Sequence, residues 1–148
     1  MIRRIALVAV VVALAASLTG CVSNTPVATP APADIVGTWH HGSDRLTINS
    51  NGTFALANTP LGVIEQRAVV AGADPAGPNE SVSGTWVIGS GGTDVGGAPG
   101  VQLTFVKPKK VGFDYGITFV VSGDVPPQLY VFLGRPDSDI RYSFTKSR

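Results

Sequence analysis

Hydrophobic and polar residues alternate along most of the chain from Ile35 onward. Val101, Leu103 and Phe105, for example, alternate with two polar residues, and this period of two is typical of β-strands. No window of helical length that is free of glycine and proline shows an amphipathic stripe. The pattern therefore predicts an all-β domain built as an antiparallel meander barrel, with a sandwich as the alternative. Eight or nine strands are predicted, at residues 36–41, 44–49, 53–57, 63–70, 82–88, 101–106, 112–121, 128–134 and 140–146.

One hairpin can be predicted down to its register. The segment LTINSNGTFAL, which starts at Leu46, contains an Asn-Gly dipeptide, a strong turn signal. A two-residue turn would divide the large apolar residues of the two strands between both faces of the hairpin. A three-residue loop at 50–52 instead pairs Ile48 with Phe54 and Leu46 with Leu56 on one apolar face. We therefore predict the three-residue loop, with its glycine at positive φ in a G1 bulge.

A Gly-Thr-Trp motif occurs twice, ending at Trp39 and at Trp86. The first copy resembles the Gly-x-Trp motif in the first strand of lipocalin-like proteins. The resemblance implies a barrel in which the tryptophan closes one end and an arginine near the last strand packs over it, a position that Arg141 matches. With Tyr115, these residues are the candidate barrel-end or pocket residues. The predicted interior is bulky, which favours a filled barrel or a small cavity; it contains Trp39, Leu46, Ile48, Phe54, Leu56, Trp86, Leu103, Phe105, Phe113 and Tyr115.

The first 21 residues have the organisation of an export signal. Two arginines precede an unbroken apolar run from Ile5 to Ala16, which as a helix would rise about 18 Å and fall short of a bilayer core of roughly 30 Å. The run leads to Leu-Thr-Gly-Cys, ending at the only cysteine of the chain, Cys21. This sequence resembles the lipobox of bacterial lipoproteins. The resemblance implies cleavage between Gly20 and Cys21 and a diacylglyceryl group on the Cys21 sulfur, and two acyl chains anchor a protein stably.

The chain is accordingly predicted to have three parts: a signal peptide at 1–20, the lipidated cysteine with a proline-rich tether at 21–34, and a β-barrel domain at 35–148. The tether contains three prolines and no large apolar residue, which is typical of an extended, semi-rigid linker. Loss of the two arginines with the signal changes the formal charge from +1 to −1, which argues against a nucleic-acid partner. The segment LYVFLGRPDSDIRYSF is similar to small uncharacterised lipoproteins of high-GC Gram-positive bacteria.

Candidate catalytic and metal-binding groups are few. The neighbouring His40 and His41 point to opposite faces of a strand, so they cannot easily share one zinc ion. The carboxylates in the turn at 137–139 lack the glycine and third acid of a calcium loop and are simpler to explain as turn residues. The basic turn at 107–110 is expected to be a solvated hairpin tip, and the glycine-rich stretch at 89–100 precedes a strand, unlike a phosphate-binding loop. The sequence therefore predicts no cofactor and no metal.

These observations predict a non-catalytic barrel held by lipid on the outer face of the cytoplasmic membrane. Its expected role is that of a binding or interaction module of the cell envelope, acting through loops 58–62, 72–80 and 89–100. Its expected partners are the membrane, through the diacylglyceryl group on Cys21, and an envelope protein or a small apolar ligand. A lipocalin-type carrier of such a ligand is the alternative, and an envelope enzyme is a third.

Overall fold

A computed structural model of the chain describes residues 28–67, 69, 72–91, 98–106, 114–124, 126–135 and 139–148. These residues form eight strands and two single-turn helices. The strands are β1 (Gly37–His41), β2 (Asp44–Ile48), β3 (Thr53–Pro60), β4 (Asn79–Ser90), β5 (Pro99–Val106), β6 (Asp114–Val121), β7 (Gln128–Phe132) and β8 (Arg141–Lys146); the helices are α1 (Pro32–Ile35) and α2 (Leu61–Ile64).

The eight strands form a closed antiparallel barrel in which each strand pairs with its neighbours in the sequence and β8 pairs with β1. The closing pairs are Trp39 with Lys146 and His40 with Thr145. The β6–β7 junction also has two facing pairs among the described residues, whereas β7 and β8 share five. The predicted antiparallel barrel of about eight strands is thus confirmed, and the sandwich alternative is not what the chain forms.

The β2–β3 hairpin has the predicted register. Ile48 faces Phe54 and Leu46 faces Leu56, with residues 50–52 as the loop and Gly52 at a φ of 81°. The Asn51 side chain fixes this loop, because its Oδ1 accepts hydrogen bonds from the backbone N–H of Thr53 (3.1 Å) and from its hydroxyl (2.7 Å). The glycine therefore sits where a side chain would be strained.

The barrel interior is filled with side chains. Alternate residues of the strands point inward, as the period of two predicts, and the aromatic rings meet edge to face, with centroids 6.2 Å apart for Phe54–Phe105 and 5.6 Å apart for Phe119–Phe144. The largest side chains that are essentially inaccessible to solvent are Trp39, Phe54, Phe119, Phe144, Ile35, Leu46, Ile48, Leu56, Leu103, Ile117, Leu129 and Val63.

The predicted strand at 63–70 is wrong. The chain instead forms helix α2 directly after β3, and Val63 and Ile64 are buried across the upper end of the barrel, the end at which β3 finishes. Backbone bonds from Leu61 N–H to Pro78 O and from Gly62 N–H to Ala76 O tie this turn to the loop before β4. The apolar run in the sequence thus serves as a plug for the barrel, and it does not alternate between two faces.

The lower end of the barrel, where β1 begins, is closed by α1. Residues 32–34, the last part of the predicted tether, belong to this helical turn, and Ile35 is buried beneath the barrel. Asp34 stabilises the turn by accepting a hydrogen bond from the Ala31 N–H at 3.0 Å. None of the helices in the described ranges is long and apolar enough to cross a membrane.

Candidate functional site

The candidate functional residues separate into two groups, one at each end of the barrel. The lower group surrounds Trp39, whose indole N–H donates to the Ile35 carbonyl oxygen at 2.9 Å. The Lys146 ammonium lies 5.5 Å from the centroid of the Trp39 ring and donates to the Asp34 carbonyl oxygen at 2.6 Å. Trp39 thus joins α1 to the barrel and is completely enclosed. It closes the barrel end and leaves no face for a ligand.

The cation over Trp39 is Lys146 and not Arg141, the residue matched to this role from the lipocalin resemblance. Arg141 lies at the other end of β8, on the outer wall, where its guanidinium carbon is 4.7 Å from the Tyr130 ring centroid. Its ion pair with Asp139 spans 2.6 Å. The alternation of β8 contains the signal that would have identified the lysine, because Tyr142 and Phe144 point inward and Lys146 is next on the same face.

Trp86 occupies a different environment from Trp39, at the rim of the lower end. Its indole N–H donates to the Asn49 carbonyl oxygen at 2.8 Å, and its backbone N–H donates to Gly52 O at 2.9 Å. Both polar groups are therefore used within the protein, and the part of the indole that remains at the rim is apolar. The strand continues from there into Val87, a large apolar residue whose exposed fraction is 58%.

An apolar groove of about 620 Å³ lies beside Trp86 at this lower rim, open to solvent on one side. It exists because β4 continues beyond β3: Thr85 faces Thr53, the first residue of β3, whereas pairing with β5 continues to Ser90. The second wall is α1. The residues that line the groove are Pro32, Ala33, Val36, Ser50, Gly52, Trp86, Val87 and Ile88.

The upper group contains a buried carboxylate. Asp44, 5% exposed, accepts a hydrogen bond from the Tyr142 hydroxyl, and the Ser43 hydroxyl lies 3.4 Å from its other oxygen. Burial, together with this hydrogen bond to Asp44, raises the pKa of Tyr142 well above its ordinary value. The His41 ring stacks on Tyr142 with centroids 3.9 Å apart, and its Nδ1 lies 2.8 Å from the Ser143 carbonyl oxygen.

The chemistry of this upper group is structural in character. The carboxylate oxygens of Asp44 face hydroxyl groups of the protein, and a tyrosine with a raised pKa keeps its proton at neutral pH. His40 is half-buried and His41 exposed, on opposite faces of β1. Within the part of the chain that the structure describes, no three residues of the His, Cys, Asp and Glu types are grouped as metal ligands would be.

Several predicted site residues lie outside the described residues. These include Gly20 and Cys21, the basic turn at 107–110, Phe113 and the first two residues, 137 and 138, of the predicted turn at 137–139; the side chain of Tyr115 is likewise not described. Their predicted roles stay predictions. Sequence reasoning missed Lys146 and the exposed edge at Val87, which depend on strand lengths and on a pairing between the two ends of the chain.

Comparisons with known proteins give no relative for this chain. No family model matches it, and neither the curated proteins nor the solved structures contain a significant match. The architecture alone therefore defines its class, that of closed eight-stranded antiparallel barrels with both ends covered by helical turns.

Proposed function

We propose that this protein is a lipid-anchored, non-catalytic barrel that acts as a binding module of the cell envelope on the outer face of the cytoplasmic membrane. The sequence at Cys21 supports the anchor. The observation that carries the binding role is the filled interior. A barrel packed with tryptophan, phenylalanine and leucine side chains offers its partners the outer surface rather than an internal cavity. The same packing argues against the carrier alternative.

The position of the tether orients the barrel. The chain enters at α1, so the lower end lies toward the anchor and the upper end points away from it. Loop 72–78 lies at this outward end, and most of its residues are exposed. Asp74 is one of them. The upper loops are therefore the surface that we expect to contact an envelope partner.

Two experiments test this proposal. Mass analysis of the mature protein should find Cys21 as the first residue, carrying a diacylglyceryl group, and Cys21→Ser should release the protein from the membrane fraction. A photo-cross-linking amino acid at Asp74, introduced in living cells, should give a discrete adduct. The matched position is Thr104, which is exposed on the barrel wall away from both ends and should give none.

The results that would contradict the proposal differ in kind. An unmodified Cys21 would remove the anchor and the location together. Equal cross-linking from Asp74 and Thr104 would remove the upper end as the binding surface. A fatty acid that copurifies with the protein and shifts the emission of the enclosed Trp39 would favour the carrier.

A further inference from the structure

The groove at the lower rim has the chemistry of a site for a hydrocarbon chain. Its walls are proline, alanine, valine and isoleucine side chains with the carbon face of Trp86, whose indole N–H is already bonded to Asn49 O. Val87 lies at its edge with more than half of its surface in water. A single exposed valine is ordinary, but one that continues an apolar groove extends the surface available to an apolar ligand.

The size and the open side of the groove restrict its occupant. A volume of about 620 Å³ falls within the range of roughly 300–1,000 Å³ that is usual for ligand pockets. Such pockets normally enclose most of their ligand, whereas this groove leaves one side in contact with solvent. An apolar molecule that bound from water would leave part of its surface exposed to water. An acyl chain that stays partly within a bilayer would keep that part of its surface in an apolar environment.

The groove lies where the chain that leads from the proposed anchor enters the barrel. Pro32 and Ala33 form one of its walls, and the chain between Cys21 and Ala31 spans at most about 40 Å when extended. A connection of this length keeps the bilayer at a high effective concentration near the groove. Weak, partial burial of a lipid chain is then enough for occupancy, although the same contact would fail for a free ligand.

We propose that this groove takes an acyl chain of a membrane phospholipid, so that the lower end of the barrel rests on the bilayer. The proposal rests on the lipid anchor of the proposed function. The groove walls contact the acyl chain, and Val87 enters the apolar part of the membrane at the rim. The upper loops then point directly away from the membrane surface.

An extended peptide is a poorer fit to the same place. The Trp86 N–H bonds to Gly52 O on the side of β3, so the backbone groups of Ile88, two residues on, face that side after β3 has ended. Next along this edge, the Ser90 carbonyl oxygen accepts a bond from the Gln102 side chain at 3.4 Å. The edge therefore presents the backbone N–H and C=O of Ile88 to a peptide, and the groups of one residue are too few for strand addition.

The test uses the mature, lipidated chain in vesicles of phosphatidylcholine and phosphatidylglycerol whose acyl chains carry bromine, a quencher of tryptophan fluorescence. Trp86→Phe separates the emission of Trp86 from that of the enclosed Trp39. We expect the Trp86 component to be quenched several-fold more strongly than the Trp39 component. Val87→Asp should remove most of this difference, whereas Ser83→Asp, an exposed change on the same strand outside the groove, should preserve it.

The outcomes separate this inference from the function on which it rests. Mass analysis and vesicle flotation first establish that the chain is anchored. If it is anchored and Trp86 is not quenched, or if Val87→Asp and Ser83→Asp behave alike, the groove does not take lipid and the anchor stands. If a short valine-rich peptide shields Trp86 from brominated lipid, the groove is a peptide site and the inference is overturned. The two aspartate variants keep both tryptophans, so their comparison is valid even if Trp86→Phe does not fold.

Discussion

Removal of one hydroxyl group at the upper end tests how the barrel supports a buried charge. Tyr142→Phe keeps the ring that stacks on His41 and deletes the group that donates to Asp44. The Asp44 carboxylate is almost inaccessible to water, and its remaining contact, with the Ser43 hydroxyl at 3.4 Å, is long. The loss therefore leaves a buried oxygen without its principal donor.

The expected cost follows from the type of bond. A hydrogen bond to a charged group contributes about 1.5–3 kcal/mol, and an abandoned buried acceptor costs the upper part of that range. We therefore expect Tyr142→Phe to lower the free energy of unfolding by about 2–3 kcal/mol. Because the ring remains, cavity formation adds little.

Urea unfolding at neutral pH, followed by tryptophan emission, measures this loss. The matched control is Tyr130→Phe, which removes the same group from a half-buried tyrosine on the outer wall and should change stability by about 0.5 kcal/mol or less. In the double variant Tyr142→Phe with Asp44→Asn, the two effects should not add. Equal costs for Tyr142→Phe and Tyr130→Phe would refute the reasoning, since burial of the carboxylate would then have no energetic consequence.

The pH dependence of the same pair of proteins has a definite sign. Because the folded state raises the pKa of Tyr142, it holds the phenol proton more tightly than the unfolded chain does. The resulting stability is fully present below the ordinary tyrosine pKa near 10 and is lost as the pH rises above it, by up to about 1.4 kcal/mol per pH unit. The stability difference between wild type and Tyr142→Phe should therefore shrink above pH 10, whereas a constant difference would contradict the assigned shift.

Three further substitutions, the first of them with a matched control, test the packing of the barrel. Gly84→Ala should lower the free energy of unfolding by about 3 kcal/mol or more, because the added Cβ would overlap the Thr104 carbonyl oxygen. In Gly116→Ala the nearest atom to the added Cβ is 3.7 Å away, so the free energy of unfolding should change by about 0.5 kcal/mol or less. Similar urea midpoints for the two variants would contradict this contrast. Lys146→Met should lose about 1–2 kcal/mol with its bond to α1 and its contact with the indole, and should alter the near-ultraviolet dichroism of the tryptophans. Ile35→Ala should cost about 2–5 kcal/mol if α1 unfolds together with the barrel, and an unchanged thermal midpoint would mean that it does not.

The features that the sequence predicted correctly are those encoded by local alternation. The register of the β2–β3 hairpin follows from a single requirement, that Leu46, Ile48, Phe54 and Leu56 share one face, and the turn residues agree with it. The same alternation identified most of the side chains that fill the interior. Each of these inferences requires the sequence of one neighbouring strand, and that strand is the next one along the chain.

The features that it failed to predict depend on contacts between distant parts of the chain. Val63 and Ile64 have the composition of a strand, but an open barrel end needs an apolar cover, and the helical turn supplies it. Lys146 reaches Trp39 because the last strand closes on the first. The groove arises from the difference in length between β3 and β4. None of these is visible as a local pattern.

The uneven pairing around the barrel has a mechanical consequence. Among the described residues, β7 and β8 face each other through five pairs, yet this hairpin joins β6 and β1 through two pairs on each side. Each seam is extended by one further backbone hydrogen bond, from Ser147 N–H to Thr38 O on one side and from Ser122 N–H to Gln128 O on the other. Because both seams are short, local opening of the two would release the hairpin as one unit while the other six strands keep their hydrogen bonds. Amide protons along both seams should then exchange with solvent together, at a lower free energy than those between β4 and β5. Because helical turns cover both ends of the barrel, opening of these seams would be the route by which water first reaches the packed interior.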